Sequence, residues 1–358
     1  MSFTGWCKLM ENKLDSMIEA IRFYEGPPIR LMEVCGTHTH SISKFGIPAL
    51  FPENISLISG PGCPVCVTPA GYIDRAAELS LVPGCTVLSY GDMIRVPGSR
   101  TSLLKAKAEG GSVILMYSPM EALECARREP DRMFFVTAVG FETTLPVYAL
   151  LIRRLMEENI KNVRLLTAVK ALMPALTWIC ENNPDIQGFI GPGHVSAVLG
   201  WGCYGPLCQK YAIPMAVAGF GYEHIVAAIY DLMIQLTRGM CEVHNLYPST
   251  VTKEGNQDAL RIIDEFFERK PSIWRGLGEI AGSGYCLKPE YALYDAGSFE
   301  SDDREIAGCL CGKVITGRVR PVDCRFFGSA CTPENPKGPC MVSSEGTCGI
   351  WLRNARTR

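Results

Sequence analysis

From Pro28 to about Arg238, short apolar runs rich in β-branched residues alternate with amphipathic stretches of helical length. This alternation is typical of βαβ units, whose strands pair in mostly parallel sheets. The predicted strands are 29–34, 55–59, 86–90, 113–117, 133–139, 163–168, 186–190 and 214–218. The predicted helices include 70–80, 119–128, 145–158 and 222–236. Two sets of four strands therefore predict an α/β protein with two similar parallel-sheet domains.

The predicted domain boundaries follow the order of the sequence. Residues 28–118 and 119–243 form the two α/β domains, with a cleft between them, and residues 244–358 form a smaller third unit. This unit has one predicted helix at 257–269, followed by a Gly- and Pro-rich stretch that carries seven cysteines. Because apolar residues are few there, we expect an iron–sulfur domain, mainly helical or irregular, organised by its metal centre. The N-terminal segment 1–27 is predicted to be a helix that packs against it.

Composition narrows the class of protein. The 35 basic and 37 acidic residues among 358 form no block of like charge, which argues against nucleic acid as a partner. No signal peptide and no apolar stretch of about 20 residues is present, so we expect no membrane partner and a cytoplasmic location. In such a reducing compartment, 17 cysteines indicate metal ligation or redox chemistry instead of a disulfide framework.

Four thiols near the end of the chain lie within 25 residues of Gly- and Pro-rich sequence: Cys324, Cys331, Cys340 and Cys348. Four thiolates suit tetrahedral zinc or a [4Fe–4S] cluster. The wide, irregular gaps lack the paired CxxC of zinc ribbons, which favours iron–sulfur. Cys309 and Cys311 could supply ligands instead, and a structural zinc site stays open.

The motif CGTHTH follows the first predicted strand and contains Cys35 and His38. Ligand sites in parallel α/β sheets gather at the carboxyl ends of strands, which is where these side chains are expected. A thiolate with an imidazole three residues later can bind one iron or zinc, or form a nucleophile with its base. The structural alternative is a buried cysteine beside surface histidines.

The motif GPGCPVC follows the next predicted strand and contains Cys63 and Cys66. Neighbouring parallel strands would bring this motif to the same sheet edge as CGTHTH. A CxxC at a strand-to-helix turn is typical of redox dithiols with a lowered pKa. Half of a zinc site is the alternative.

Three further loops that follow strands carry polar side chains, namely Asp92, Glu142 and His194. They are candidate residues of the cleft between the two α/β domains. Each could equally serve as a turn or helix-cap residue that satisfies unpaired backbone N–H groups.

Six motifs, in order along nearly the whole chain, resemble those of the HypD family of hydrogenase maturation factors. They are CGTHTH, GPGCPVC, YGDMIRVPG, GFETT, GPGHVS and CRFFGSACTPENPKGPCMVSSEGTC. The resemblance implies two similar α/β domains with a third that bears a cluster. It also implies a scaffold that assembles the Fe(CN)2CO unit of [NiFe]-hydrogenases, with a HypC-type chaperone and a HypE-type cyanide donor as partners. Redox activity in cyanide transfer, without turnover of a metabolite, is the expected chemistry.

The resemblance also implies roles for individual residues. Cys35 would hold the transient Fe(II) that carries CN and CO ligands, with His38 as second ligand or proton donor. Cys63 and Cys66 would be a redox dithiol. The [4Fe–4S] ligands would be the four thiols at 324, 331, 340 and 348, and we hypothesise that electrons run from this cluster through the dithiol to the iron.

One residue departs from the family pattern, which often has glutamate at position 39 where this chain has Thr39. No essential carboxylate is therefore assigned there. Two other functions are compatible with the motifs: a stand-alone, cluster-dependent thiol oxidoreductase and a zinc-bearing interaction protein.

Overall fold

The computed structural model describes residues 3–297 and 307–355, with the side chains of 13–297 and 307–354. The strands are β1 Ile29–Glu33, β2 Ile55–Ser59, β3 Cys85–Ser89, β4 Val113–Leu115, β5 Met133–Gly140, β6 Val163–Val169, β7 Gly188–Pro192, β8 Met215–Ala218, β9 Val243–Asn245, β10 Phe267–Trp274 and β11 Gly278–Leu287. The helices are α1 Phe3–Arg22, α2 Gly36–Lys44, α3 Pro64–Val67, α4 Ala70–Leu81, α5 Gly91–Arg95, α6 Leu103–Ala108, α7 Glu121–Arg128, α8 Leu145–Glu157, α9 Leu172–Asn182, α10 Gly193–Leu199, α11 Gly205–Tyr211, α12 Tyr222–Thr237, α13 Gln257–Phe266, α14 Cys311–Ile315, α15 Pro339–Val342 and α16 Thr347–Ala355.

The chain forms two compact units, each built from separate segments of sequence. Unit 1 contains the described residues of 1–62, 179–256 and 353–358. Unit 2 contains 63–178 and the described residues of 257–352. The chain therefore passes from unit 1 to unit 2 between Gly62 and Cys63.

Unit 1 is built on a parallel sheet in the order β2-β1-β7-β8-β9. β1 pairs with β2 on one side and with β7 on the other. Glu33 of β1 lies opposite Ser59 of β2 and opposite Ile190 of β7. Helix α12 covers this sheet with a buried apolar face that includes Ile225, Ile229 and Leu232. The carboxyl ends of β1, β2, β7 and β8 consequently lie along one edge.

Unit 2 is built on a second parallel sheet, in the order β4-β3-β5-β6. Its core includes Tyr72 and Ile73 of α4 and Val87 of β3. The antiparallel hairpin β10-β11 packs beside β6, where an isolated bridge joins Lys170 to Gly284. The cysteine-rich segment from Cys309 to Leu352 belongs to this unit.

The predicted fold class, α/β with parallel sheets, is confirmed. All eight predicted strands are present, with ends displaced by at most two residues. The hairpin β10-β11 was not predicted, and the helix predicted at 257–269 ends at Phe266 because β10 begins there. Pro271 and four glycines interrupt the apolar pattern of 267–287, which weakens the signal for a strand. Pro271 lies where the register of the hairpin shifts, between Lys270 and Ser272.

Strand pairing divides the chain differently from the predicted boundaries at 118/119 and 243/244. β1 and β2 pair into the sheet that contains β7 and β8, whereas β3 and β4 join β5 and β6. The segment after residue 257, predicted as a separate domain, clusters with the second sheet. Apolar runs reveal where strands are, but strand order is decided by contacts between residues distant in sequence.

The N-terminal helix contributes to the core of unit 1. Helix α1 packs against α12 in unit 1, where Leu14, Met17 and Ile18 contact the buried apolar cluster. The prediction that it packs against the cysteine-rich segment, which belongs to unit 2, stays a prediction. In the described part of the chain, no helix combines the length and apolar character needed to span a bilayer.

Replacing Leu232 with alanine tests the core of unit 1. Leu232 is fully buried, so Leu232→Ala should lower the free energy of unfolding by about 2–5 kcal/mol. The control Leu150→Ala alters a leucine that is 44% exposed and should lower it by no more than about 1 kcal/mol. Urea unfolding followed by circular dichroism measures both, and equal losses would contradict the assignment of α12 to the core.

Candidate functional site

Cys35 lies two residues after the end of β1 and immediately precedes α2. Its side chain is 8% exposed. Its backbone N–H donates to Glu33 Oε2 at 3.0 Å. The other oxygen of this buried carboxylate, Oε1, accepts the hydroxyl of Thr39. Glu33 therefore ties the end of the strand to the first turn of the helix and holds the Cys35 backbone in place.

Glu33 is a site residue that the sequence reasoning passed over. A carboxylate in the middle of an apolar run, six residues before a threonine, was the available signal. Thr39, which occupies the position where the family pattern often has glutamate, is itself buried and donates to Glu33. A carboxylate is thus present beside CGTHTH, although it comes from the strand.

The turn Gly60–Gly62 packs against the end of β1. Gly60 N–H donates to the carbonyl of Glu33 at 2.7 Å, and Gly36 N–H donates to the carbonyl of Gly62 at 3.3 Å. A Cβ on Gly62 would overlap the backbone of Val34 and Cys35. The glycines of GPGCPVC are therefore required for backbone contact with the Cys35 loop.

His38 is completely buried in unit 1. Its Nε2 lies 2.9 Å from the carbonyl oxygen of Gly219, and because a carbonyl only accepts, this nitrogen carries the proton. Nδ1 has no hydrogen-bond partner among the described residues. Burial lowers the pKa of His38 to about 4, so the ring is neutral at pH 7. The ring therefore offers a lone pair on Nδ1.

His194 lies in the same unit and is exposed. Its ring centroid is 4.2 Å from that of Phe220, whose other neighbour is His38 at 4.9 Å. Phe220 thus lies beside both histidines, at the loop after β8. The structure places His194 near His38, as expected for loops at one sheet edge.

Cys63, the first residue of unit 2, immediately precedes α3, and Cys66 lies within that helix. Cys66 N–H donates to Cys63 Sγ at 3.3 Å, and the Cys63 thiol donates to Ser343 Oγ at 3.5 Å. Cys66 forms a side-chain hydrogen bond with Cys340. Burial raises the pKa of Cys66 well above its ordinary value, against the lowering effect of that bond. Cys63 and Cys66 consequently have different neighbours.

Six cysteines line one pocket in unit 2, together with Val314, Phe326, Phe327 and Met341. They are Cys309, Cys311, Cys324, Cys331, Cys340 and Cys348. The sulfur atoms of Cys311 and Cys340 are 2.6 Å apart and both side chains are buried. The pocket holds the four predicted thiols and also the two whose role was left open, and an apolar wall with thiol donors fits an iron–sulfur cluster.

Asp92 belongs to unit 2 and contacts the cysteine-rich segment. Its Oδ2 accepts the backbone N–H of Ser344 at 3.0 Å, and its Oδ1 lies 3.7 Å from Arg95. Arg95 in turn donates to the carbonyl of Val342 at 3.4 Å. The motif YGDMIR is therefore bound to the loop after Cys340. Asp92 lies in unit 2 and His194 in unit 1, and a shared cleft for them stays a prediction.

Glu142 is completely buried in unit 2. Its Oε1 accepts the backbone N–H of Leu172 at 2.9 Å, while Oε2 has no hydrogen-bond partner among the described residues. Burial raises the pKa of Glu142 to about 7 from the ordinary 4.5. The carboxyl group therefore changes protonation near neutral pH.

Within the ranges described, no three His, Cys, Asp or Glu side chains are arranged around a single metal ion. The remaining cysteines include a group in unit 1. Cys208 lies in unit 1 with Cys241, Cys180 and Cys203 as electrostatic neighbours, and burial raises its pKa to about 12. These thiols are separate from the pocket in unit 2.

Fold and site together define the class: an α/β protein with parallel sheets whose loops carry a thiol pair and a pocket lined by cysteines. The family model described as "HypD: Hydrogenase formation hypA family" matches residues 11–355. The chain belongs to the HypD family, and its role is in hydrogenase maturation.

Three curated relatives illustrate the similarity. The hydrogenase maturation factor HypD of Azotobacter vinelandii is 43% identical over 342 residues, 92% of this chain and 90% of the relative. That of Cupriavidus necator is 41% identical over 336 residues, 90% of this chain and 89% of the relative. A putative hydrogenase expression/formation protein of Methanocaldococcus jannaschii is 40% identical over 333 residues, 92% of both chains.

Replacing Glu142 with glutamine tests its burial. Because the pKa is raised in the folded state, the stability that the carboxyl contributes is fully present below pH 4.5 and is lost as the pH rises to 7. Glutamine does not titrate, so the variant escapes this loss. The difference in unfolding free energy, Glu142→Gln minus wild type, should therefore rise by about 3 kcal/mol between pH 4.5 and pH 7.5. Urea unfolding at both pH values measures this. The exposed Glu124→Gln should show no such gain, and a pH-independent difference for Glu142→Gln would contradict the raised pKa.

Proposed function

We propose that this protein is a scaffold and redox protein for assembly of the Fe(CN)2CO unit of [NiFe]-hydrogenase. It works in the cytoplasm, holds iron at Cys35 together with a HypC-type chaperone and accepts cyanide from a HypE-type donor. Family membership supports the pathway. The contact between Cys66 and Cys340 carries the redox part of the proposal, because it links the CPVC dithiol to the pocket of six cysteines.

The iron is cargo in this proposal, and Cys35 supplies its thiolate. The hydrogen bond from Cys35 N–H to Glu33 and the packing of Gly62 against the Cys35 backbone hold the loop in one conformation. His38 is neutral at pH 7, with its Nε2–H donated to Gly219, so Nδ1 is suited to act as ligand or acceptor. This favours the second-ligand role over the proton-donor role.

We propose that Cys309, Cys324, Cys331 and Cys348 hold a [4Fe–4S] cluster in the pocket. This set exchanges Cys340 for Cys309 in the quartet predicted from spacing. Two ligands of one cubane bind different iron atoms and keep their sulfurs well apart, whereas Cys311 and Cys340 are 2.6 Å apart. Their separation approaches that of a disulfide bond, so they are better suited to be a dithiol pair.

The proposed electron path runs through two dithiols. Cys340 thiolate attacks the Cys66 sulfur of an oxidised Cys63–Cys66 pair, a new S–S bond forms, and Cys63 leaves as thiolate. Cys311 then attacks Cys340, which forms a Cys311–Cys340 disulfide and releases Cys66. One disulfide is reduced and one is formed, and two electrons pass. A bound [4Fe–4S] cluster would supply electrons singly, so two transfers return Cys311 and Cys340 to thiols.

The reduced dithiol can then release cyanide from a thiocyanate on the donor protein. Cys63 thiolate attacks the thiocyanate sulfur, an S–S bond forms, and the S–C bond breaks with its electron pair leaving on cyanide. Cys66 then attacks Cys63, which restores the Cys63–Cys66 disulfide and frees the donor's thiol. The dithiol is oxidised by two electrons while the thiocyanate is reduced by two.

The ligand set is tested with Cys309→Ser and Cys340→Ser. Anaerobically purified Cys309→Ser should lose most of its iron, sulfide and cluster absorbance, because a ligand is removed. Cys340→Ser should retain about four irons and four sulfides per chain, since in this assignment it removes only the inner dithiol. Cys125→Ser, on α7, is the matched control and should retain the cluster. Loss of the cluster in Cys340→Ser and its retention in Cys309→Ser would instead support the quartet that includes Cys340. Stoichiometric zinc in the wild-type protein would favour the alternative function, a zinc-bearing interaction protein.

The iron site is tested with Cys35→Ala in complex with the HypC-type partner. The infrared bands of Fe–CN and Fe–CO should vanish, because the iron loses its thiolate, while the cluster's visible absorbance persists. Cys203→Ala, also in unit 1, should keep the bands. Retention of the bands in Cys35→Ala would show that Cys35 is not the iron ligand. Catalytic reduction of a small disulfide by the protein alone, as fast as with its partners, would favour a stand-alone oxidoreductase.

A further inference from the structure

The loop after α15 presents Ser343 to the CPVC dithiol. Ser343 is buried, and its Oγ accepts the Cys63 thiol proton at 3.5 Å and the backbone N–H of Glu345 at 3.2 Å. Because a hydroxyl is both donor and acceptor, the bond can reverse when Cys63 loses its proton. Ser343 O–H then donates to the thiolate.

A second donor already points at the same sulfur. Cys66 N–H donates to Cys63 Sγ at 3.3 Å, so the Cys63 thiolate would accept two hydrogen bonds. Hydrogen bonds to an ionised acceptor are roughly twice as strong as neutral ones. The Cys66 sulfur, in contrast, faces Cys340. The surroundings therefore favour Cys63 as the thiolate that meets substrate.

Two side chains of the YGDMIR motif hold the Ser343 loop from both sides. Asp92 accepts the N–H of Ser344, the residue after Ser343, and Arg95 donates to the carbonyl of Val342, the residue before it. Asp92 and Arg95 also form an ion pair at 3.7 Å. The backbone of Ser343 is thus fixed on either side by one connected pair of charges.

We propose that Ser343 is a catalytic residue of the thiol chemistry, whose hydroxyl donates to the Cys63 thiolate, and that Asp92 and Arg95 are positioning residues that hold Ser343 against Cys63. This inference rests on the proposed function, in which Cys63 is the attacking thiol. Its test needs neither partner protein nor cyanide, so the role of Ser343 and the proposed function can be refuted independently.

The experiment measures alkylation of Cys63 by iodoacetamide in the reduced, anaerobically purified full chain, with peptide mass spectrometry distinguishing Cys63 from Cys66. At pH 7, Ser343→Ala should react about tenfold more slowly, since roughly 1.4 kcal/mol of thiolate stabilisation is lost. Ser343→Thr, which keeps a hydroxyl, should react within about threefold of wild type. Ser344→Ala is the matched control, because it removes the neighbouring hydroxyl and keeps the N–H that Asp92 accepts.

The pH profile separates thiolate stabilisation from a structural role. The titratable and charged groups on the elements around Cys63 are Cys66 on α3, Cys340 on α15, Glu345 beyond it, and Asp92 with Arg95 on α5. All of these are unchanged in Ser343→Ala. The rate deficit of Ser343→Ala relative to wild type should therefore shrink as the pH is raised. A deficit of equal size at every pH, or no deficit at pH 7, would overturn the proposal.

Asp92 is tested with a double-mutant cycle. Asp92→Ala should slow alkylation at pH 7 by about as much as Ser343→Ala, and the double variant should be no slower than either single one, because both act through one hydrogen bond. Asp92→Asn keeps an acceptor for Ser344 N–H and should retain most of the wild-type rate. Iron and sulfide content should be unchanged in all three. Additive losses in the double variant would refute the positioning role of Asp92.

Discussion

The hydrogen bond between the thiols of Cys66 and Cys340 is the contact on which the proposed chemistry of unit 2 depends. It joins a motif from the first fifth of the chain to one near its end, and it brings α3 against α15. Burial of both thiols excludes water from the contact. Close backbone packing supports it, since a Cβ on Gly346 would overlap the carbonyl of Cys340. Gly346 thus allows the chain after α15 to pack directly against Cys340.

In unit 1, hydrogen bonds to the backbone organise the loop around Cys35. Its proposed iron-binding thiol is that of Cys35, whose backbone N–H donates to the buried carboxylate of Glu33. Glu33 and the Gly60–Gly62 turn fix the loop, and His38 is oriented by the carbonyl of Gly219. An organised backbone beside a cysteine is what a binding site for a metal fragment requires. The two units therefore divide the proposed work between holding iron and moving electrons.

Much of the fold was predictable from local sequence, because β-branched runs and amphipathic helices have clear periods. Strand order was not, since β1 pairs with β7 through contacts more than 150 residues apart. Cysteine spacing located the pocket and CPVC, but the division of six thiols into ligands and a pair depends on the contact between Cys311 and Cys340. Ser343 carried no signal at all, because an isolated serine in a loop is ordinary until its neighbour is seen.

The interleaving of the two units has a consequence for synthesis on the ribosome. β1 and β2 are made early, yet β7, which pairs with the other edge of β1, begins only at Gly188. At a translation rate of about 5–20 residues per second, one edge of β1 stays unpaired for on the order of ten seconds until β7 has been synthesised. Unit 2 meanwhile cannot enclose its thiols until the last segment has emerged. Nascent chains therefore expose an unpaired strand edge and unburied cysteines at the same time, and an unpaired edge is a template for aggregation.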